Sequence, residues 1–155
     1  MKKHIAIVFT AALVITSTAF SSTSNNLAGK YTCNGYDRQD KALRDTTLTL
    51  TLDAKNSMLQ NGYAAYSLQW AAPPSMVVKG LPPNVAATGA IATSGNTLAL
   101  YFKNSNPKAQ ADYGVLIGTV THDQDMQGIS HTVLHFFGYQ PTYKGGDNST
   151  WVCSK

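Results

Sequence analysis

Gly29-Lys30-Tyr31-Thr32-Cys33 and Thr150-Trp151-Val152-Cys153 are the two segments on which the fold turns. Each sets an aromatic close to one of the chain's only two cysteines. They read as the first and last strands of the folded chain, joined by a disulfide. A bridge requires Cα atoms within about 7 Å of each other, so the two ends must meet. In an up-and-down barrel the first and last strands are neighbours by construction. In a sandwich the same pairing is allowed but not required. The pair of segments therefore favours closure over a sandwich.

The disulfide reading depends on compartment, and the start of the chain supplies one. Lys2 and Lys3 precede an apolar run from Ile5 to Val14, followed by the small residues Ser17-Thr18-Ala19. That order describes a secretory signal peptide, and the run is shorter than the roughly 20 residues needed to span a bilayer. Cleavage after Ala19 fits best, with Ser21 as the alternative. The expected organisation is a signal peptide over 1–19, a flexible leader over 20–27 and one domain over 28–155. A secreted or periplasmic chain with two distant cysteines pairs them by default.

Composition narrows the functional classes. The formal charge of +4 falls by two when Lys2 and Lys3 leave. Among the remaining bases, Lys30, Arg38, Lys41, Arg44 and Lys55 are interleaved with Asp37, Asp40, Asp45 and Asp53. Nucleic-acid binding needs a concentrated basic footprint, and none forms. All eight acids are Asp, a residue of turns. Charged residues make up 13 %, against a usual quarter, so Thr, Ser, Asn and Tyr carry the surface.

Periodicity then lays out the strands. Thr47, Thr49 and Thr51 alternate with Leu48, Leu50 and Leu52, a period of two with β-branched residues on one face. Further strands are expected over 28–35, 63–70, 87–93, 97–103, 112–122, 128–139 and 149–154. Tyr66, Leu68 and Trp70 share a face, as do Leu98, Leu100 and Phe102. Ser94-Gly95-Asn96 is a hairpin turn. Pro73-Pro74 and Pro82-Pro83 bracket a segment that is either an edge-like strand over 76–79 or a long loop. The expectation is an all-β fold: a closed antiparallel up-and-down β-barrel of about eight strands, its first and last joined through Cys33 and Cys153.

With Gly29-Lys30-Tyr31 at the entry strand and a closed meander behind it, the chain resembles lipocalin- and avidin-type barrels. Those families open on Gly-x-Trp, where this chain has Tyr31. Ala111-Asp112-Tyr113 is similar to the later Thr-Asp-Tyr motif of lipocalins, whereas their late Arg has no counterpart after Arg44. The pattern from Gly29 through Asp37 is also similar to small secreted bacterial proteins, and the Tyr-x-Cys start to bacterial lysozyme-inhibitor barrels. The resemblance implies a barrel that carries a small molecule or blocks a protein partner.

Catalytic and metal constellations are weak. His131 and His135 lie about 13 Å apart on a strand, too far for one metal. Asp123 to Gly128 begins like a calcium loop, but the twelfth position, which needs a bidentate carboxylate, is Leu134. Ser130 and His131 are adjacent on a strand and point to opposite faces, so no base–nucleophile pair forms. The expectation is a binding protein with no catalytic residue, no metal and no cofactor. It is expected to take a small apolar or aromatic ligand inside the barrel, through Tyr66, Trp70, Tyr101, Phe102, Tyr113 and Phe136. The alternative is a protein-interaction or inhibitor module with a filled barrel and an extracytoplasmic partner, acting through loops such as 139–148. Neither reading involves nucleic acid or a membrane span after signal removal.

Overall fold

The computed structural model describes residues 26–43, 45–71, 87–104, 113–142 and 145–155. The signal peptide, most of the leader, the proline-bracketed segment and Ala111-Asp112 lie outside the described residues. Eight strands follow in order: β1 Gly29–Asp37, β2 Thr46–Leu52, β3 Tyr63–Ala71, β4 Ala87–Ser94, β5 Thr97–Asn104, β6 Tyr113–Gln124, β7 Ser130–Gln140 and β8 Asp147–Ser154. Each pairs antiparallel with the next, and β8 returns to β1, so the sheet is a closed barrel. Closure removes the unpaired edges that an open sheet must protect.

Several strands run one or two residues beyond where periodicity alone stops them, while β6 and β7 begin one and two residues later than expected, at Tyr113 and Ser130. β1 continues through Tyr36 and Asp37 because β8 supplies Thr150 and Ser149 as partners. β8 begins at Asp147, two residues before the expected Ser149, because Gln140 and Tyr139 of β7 pair with Asp147 and Asn148. Cross-strand partners extended these ladders, and a single strand's own pattern does not contain them. Two single-turn 3-10 helices, Ala54–Asn56 and Leu59–Asn61, occupy the connection between β2 and β3. The expected calcium-like stretch is a hairpin turn. Asp125 Oδ1 accepts from the backbone N–H groups of Gln127 and Ile129, and Oδ2 lies 3.2 Å from His131 Nε2. These bonds to the charged carboxylate hold it below its ordinary value.

The β1–β8 seam carries the disulfide. Cys33 and Cys153 are register partners, and the bridge closes a sequence separation of 120. Both sulfur-bearing side chains point inward and are fully buried.

Alternation sends Tyr31, Leu48, Leu50, Tyr66, Leu68, Ile91, Leu98, Leu100, Leu116 and Leu134 to the interior, each at most 3 % exposed. Around these residues the described interior is closely packed, large residues being matched by small ones across the strands. A Cβ on Gly35 would lie 2.5 Å from the Trp151 ring, and one on Gly114 2.4 Å from the Phe102 ring. The rings occupy the volume those glycines vacate. Trp70 ties this upper layer together, at 6.0 Å from Phe102 and 5.1 Å from Trp151 between ring centroids.

The lower end is stoppered by the residues flanking β1 and β8. Leu27 is buried; its carbonyl accepts from the Tyr31 hydroxyl at 2.8 Å, and its N–H donates to the Tyr66 oxygen at 3.1 Å. Lys155 Nζ donates to the Ala28 carbonyl and lies 4.8 Å from the Tyr31 ring centroid. Burial, with Tyr66 adding a smaller effect, pushes the Tyr31 phenol far above its ordinary 10.0. The sign follows from linkage. Above about pH 10 the unfolded chain releases this proton and the folded chain keeps it, so stability falls as pH rises. Denaturant titrations between pH 9 and 11 are expected to show that fall. Tyr31→Phe is expected to flatten it while costing about 1–2 kcal/mol at neutral pH through the orphaned Leu27 carbonyl. An unchanged alkaline slope in the variant would assign the effect elsewhere.

Candidate functional site

Successive residues of a strand face opposite sides of the sheet. That rule divides the six aromatics expected to line a ligand chamber. Tyr66, Trp70 and Phe136 are buried in the core, and Phe102 is half-buried beside Trp70. Tyr101 and Tyr113 are a correction. They precede the inward-facing Phe102 and Gly114, so they stand on the outer surface, where their rings lie 6.4 Å apart. The six residues therefore form no common chamber.

What the outer surface gathers around Tyr101 and Tyr113 is more informative. Register places Tyr101 beside Val115, Val115 beside Tyr139 and Ile117 beside Phe137. His135 pairs with Val152 on the next strand, and Tyr36 of β1 pairs with Thr150. All these apolar side chains are exposed, Ile117 at 65 % and Val115 and Phe137 at 50 % each. They form one continuous face over β5, β6, β7 and β8, reaching β1 at Tyr36. Within it lies an open groove of about 540 Å³, lined by Ile117, Thr119, His135, Phe137, Thr150 and Val152.

The opposite side of the barrel differs. There β2 presents Thr47, Thr49 and Thr51, and β3 presents Ser67 and Gln69. A barrel that spans a bilayer carries an apolar band around its circumference and a polar interior. Among the described residues this barrel has an apolar interior, and its exposed apolar strand residues concentrate on β5 to β8, with Tyr63 of β3 standing apart from them. Contiguous exposed apolar patches of several hundred Å² mark interaction sites.

The sequence contained the signal for this face, in strands that are apolar at both parities. In Tyr113-Gly114-Val115-Leu116-Ile117 and Phe136-Phe137 neither parity offers a charged residue to turn outward. Val115, Ile117, Phe137 and Val152 are not among the expected site residues, and Tyr139 enters only as the start of the 139–148 loop.

Histidine chemistry does not assemble here. His131 is engaged with Asp125, and His135 stands on the apolar face with Val152 as its cross-strand partner. Among the described residues no group of three His, Cys or Asp side chains could hold a metal ion.

The class these features define is the disulfide-closed, eight-stranded antiparallel β-barrel, here with an exposed apolar face over β5 to β8. Comparison with protein-family models, with curated proteins and with solved structures finds no match to this chain.

Proposed function

We propose that this is an extracytoplasmic protein-interaction module that docks a protein partner on the outer face of β5 to β8. The observation that carries the reading is the run of exposed Tyr101, Tyr113, Val115, Ile117, Phe137 and Tyr139 in strand register. Tyrosines and phenylalanines on a rigid sheet offer large contact area at little conformational cost, as interface anchors do. The filled lower interior supports surface contact over internal cargo, and the disulfide fits an oxidising compartment. The face replaces the loops as the docking element of this reading.

Immobilised protein incubated with envelope extract of its source is expected to retain a partner. Phe137→Asp is expected to weaken that retention by at least about 2 kcal/mol, the scale of an interface anchor. Its melting curve should stay unchanged, since half of the ring is already in water. Equal retention by wild type and variant would remove this face from the function.

A second reading keeps a small apolar or aromatic ligand, at the upper end of the barrel. It is favoured by Phe102 and Trp151, which remain half-buried around Trp70 in an otherwise closed interior. Native mass spectrometry of gently purified protein tests it; a clean protein mass would count against it.

A further inference from the structure

We infer that the tip of the β6–β7 hairpin, Met126 with Ile129, is a separate contact site that inserts into an apolar, basic-rimmed pocket of a protein partner. The inference goes beyond the docking reading of the β5–β8 face. It concerns the end of the barrel and holds whether or not that face is covered.

The hairpin projects. β6 keeps β5 beside it as far as Thr119, opposite Thr97, and Val120, whose N–H donates to the Asn96 carbonyl at 2.8 Å. β7 is supported from its other side down to Thr132, which exchanges two backbone hydrogen bonds with Lys155. Beyond those points the ladder continues between β6 and β7 alone, through Asp123–His131 and Gln124–Ser130. The stretch of β6 from Thr121 to Gln124 carries the turn about 13 Å past the β5 ladder, at roughly 3.3 Å per residue. The tip is also fixed. The Asp125 N–H donates to the Ile129 carbonyl at 3.0 Å and the Gly128 N–H to the Asp125 carbonyl at 2.9 Å. Asp125 Oδ1 accepts from the N–H groups of Gln127 and Ile129, and Gly128 supplies the positive φ of the turn.

On this frame Met126 is 100 % exposed and Ile129 58 %. Single exposed apolar residues are ordinary on a surface. Turns favour glycine and polar residues, whereas this one holds out two apolar side chains on a conformation already set, so seating them orders little further chain. Charge then points to the occupant. From Tyr113 to Gln140 the sequence has no Lys or Arg, and its only carboxylates are Asp123 and Asp125, beside the tip. Asp125 is engaged by the turn and by His131, and Asp123 is exposed. Anionic lipid headgroups would repel these carboxylates, and segments that lie on membranes carry Lys and Arg on their polar side. A pocket that excludes water from Met126 and Ile129 and sets Lys or Arg opposite Asp123 matches both the apolar tip and its acidic flank.

A photo-crosslinking residue in place of Gln127, with one in place of Thr49 as control, tests the inference in envelope extract of the protein's source. The expected result is a protein joined at position 127 and not at 49. Identified from that product and purified, it is expected to bind Met126→Asp and Asp123→Lys at least about tenfold more weakly than wild type. Asp125→Ala keeps both apolar side chains but removes the oxygen that pins the turn, and is expected to weaken binding as much. Asp125→Asn, whose Oδ1 accepts the same two N–H groups, is expected to restore most of it. The melting curve of Met126→Asp should match wild type, since that side chain is wholly in water. A partner that binds Met126→Asp and Asp125→Ala as well as wild type overturns the inference. If Phe137→Asp alone loses that partner, the docking reading stands without it. The absence of any product at 127 also overturns it, as does cosedimentation with phosphatidylethanolamine–phosphatidylglycerol vesicles that Met126→Asp abolishes.

Discussion

Replacing Cys33 and Cys153 together by alanine is expected to lower the unfolding free energy by roughly 4–5 kcal/mol, the chain-entropy value for a loop of this length. For a domain of this size that corresponds to a midpoint lower by about 15 °C. The bridge spans a separation of 120, so without it the unfolded chain regains nearly all of its freedom. In the native state the same bridge is out of reach, because both cysteines are fully buried between β1 and β8. Dithiothreitol at room temperature is therefore expected to leave it intact, while dithiothreitol present through a thermal melt reproduces the alanine phenotype. Thiol counting before and after the melt distinguishes the two regimes. A double variant that loses less than about 1 kcal/mol would mean that the β1–β8 ladder closes the barrel without its staple.

Gly89→Ala and Gly118→Ala are expected to be the most damaging single-methyl changes in the protein, at about 3 kcal/mol or more each. A Cβ on Gly89 would lie 1.9 Å from the Tyr101 carbonyl oxygen, and one on Gly118 2.0 Å from the His135 carbonyl oxygen. Both obstacles are backbone atoms of the adjacent strand, so no rotamer relieves them. The β4–β5 and β6–β7 ladders would have to spread. Gly128→Ala is the control. Nothing lies within 4 Å of its Cβ, and its φ of +80° brings only the ordinary left-handed penalty of about 1 kcal/mol. Urea titrations of the three variants check the ranking. Near-equal costs would show that the strands yield more easily than these contacts imply.

The barrel was legible because its evidence is local and redundant. The Leu-Thr alternation of β2, the Ser94-Gly95-Asn96 turn and the two terminal cysteines each constrain the same closed meander. The interior filling was less so. Whether Trp151 has room depends on Gly35, across the seam between β1 and β8, and Phe102 depends in the same way on Gly114. Large–small matching between strands becomes visible only once register is known. The outer face failed for a different reason. Tyr101 and Tyr113 are aromatic and so suit a lining, but each neighbours a residue of the opposite parity, Phe102 or Gly114, that takes the inside. Aromatic content alone does not tell the two faces of a strand apart; parity does.

The pairing of β1 with β8 also imposes an order in time. Every other ladder joins strands that are consecutive in the chain, so hairpins can form as soon as both arms exist. The final ladder cannot begin until the last strand has emerged, and until then β1 and the latest strand are open edges able to pair with other chains. Contacts between such distant residues also make folding slow, since loop-closure entropy is met before any stabilisation arrives. A chain built this way stays unfinished for as long as it is being threaded from its amino end. It completes itself only after its carboxyl end has followed, an order compatible with the export that the sequence leads one to expect.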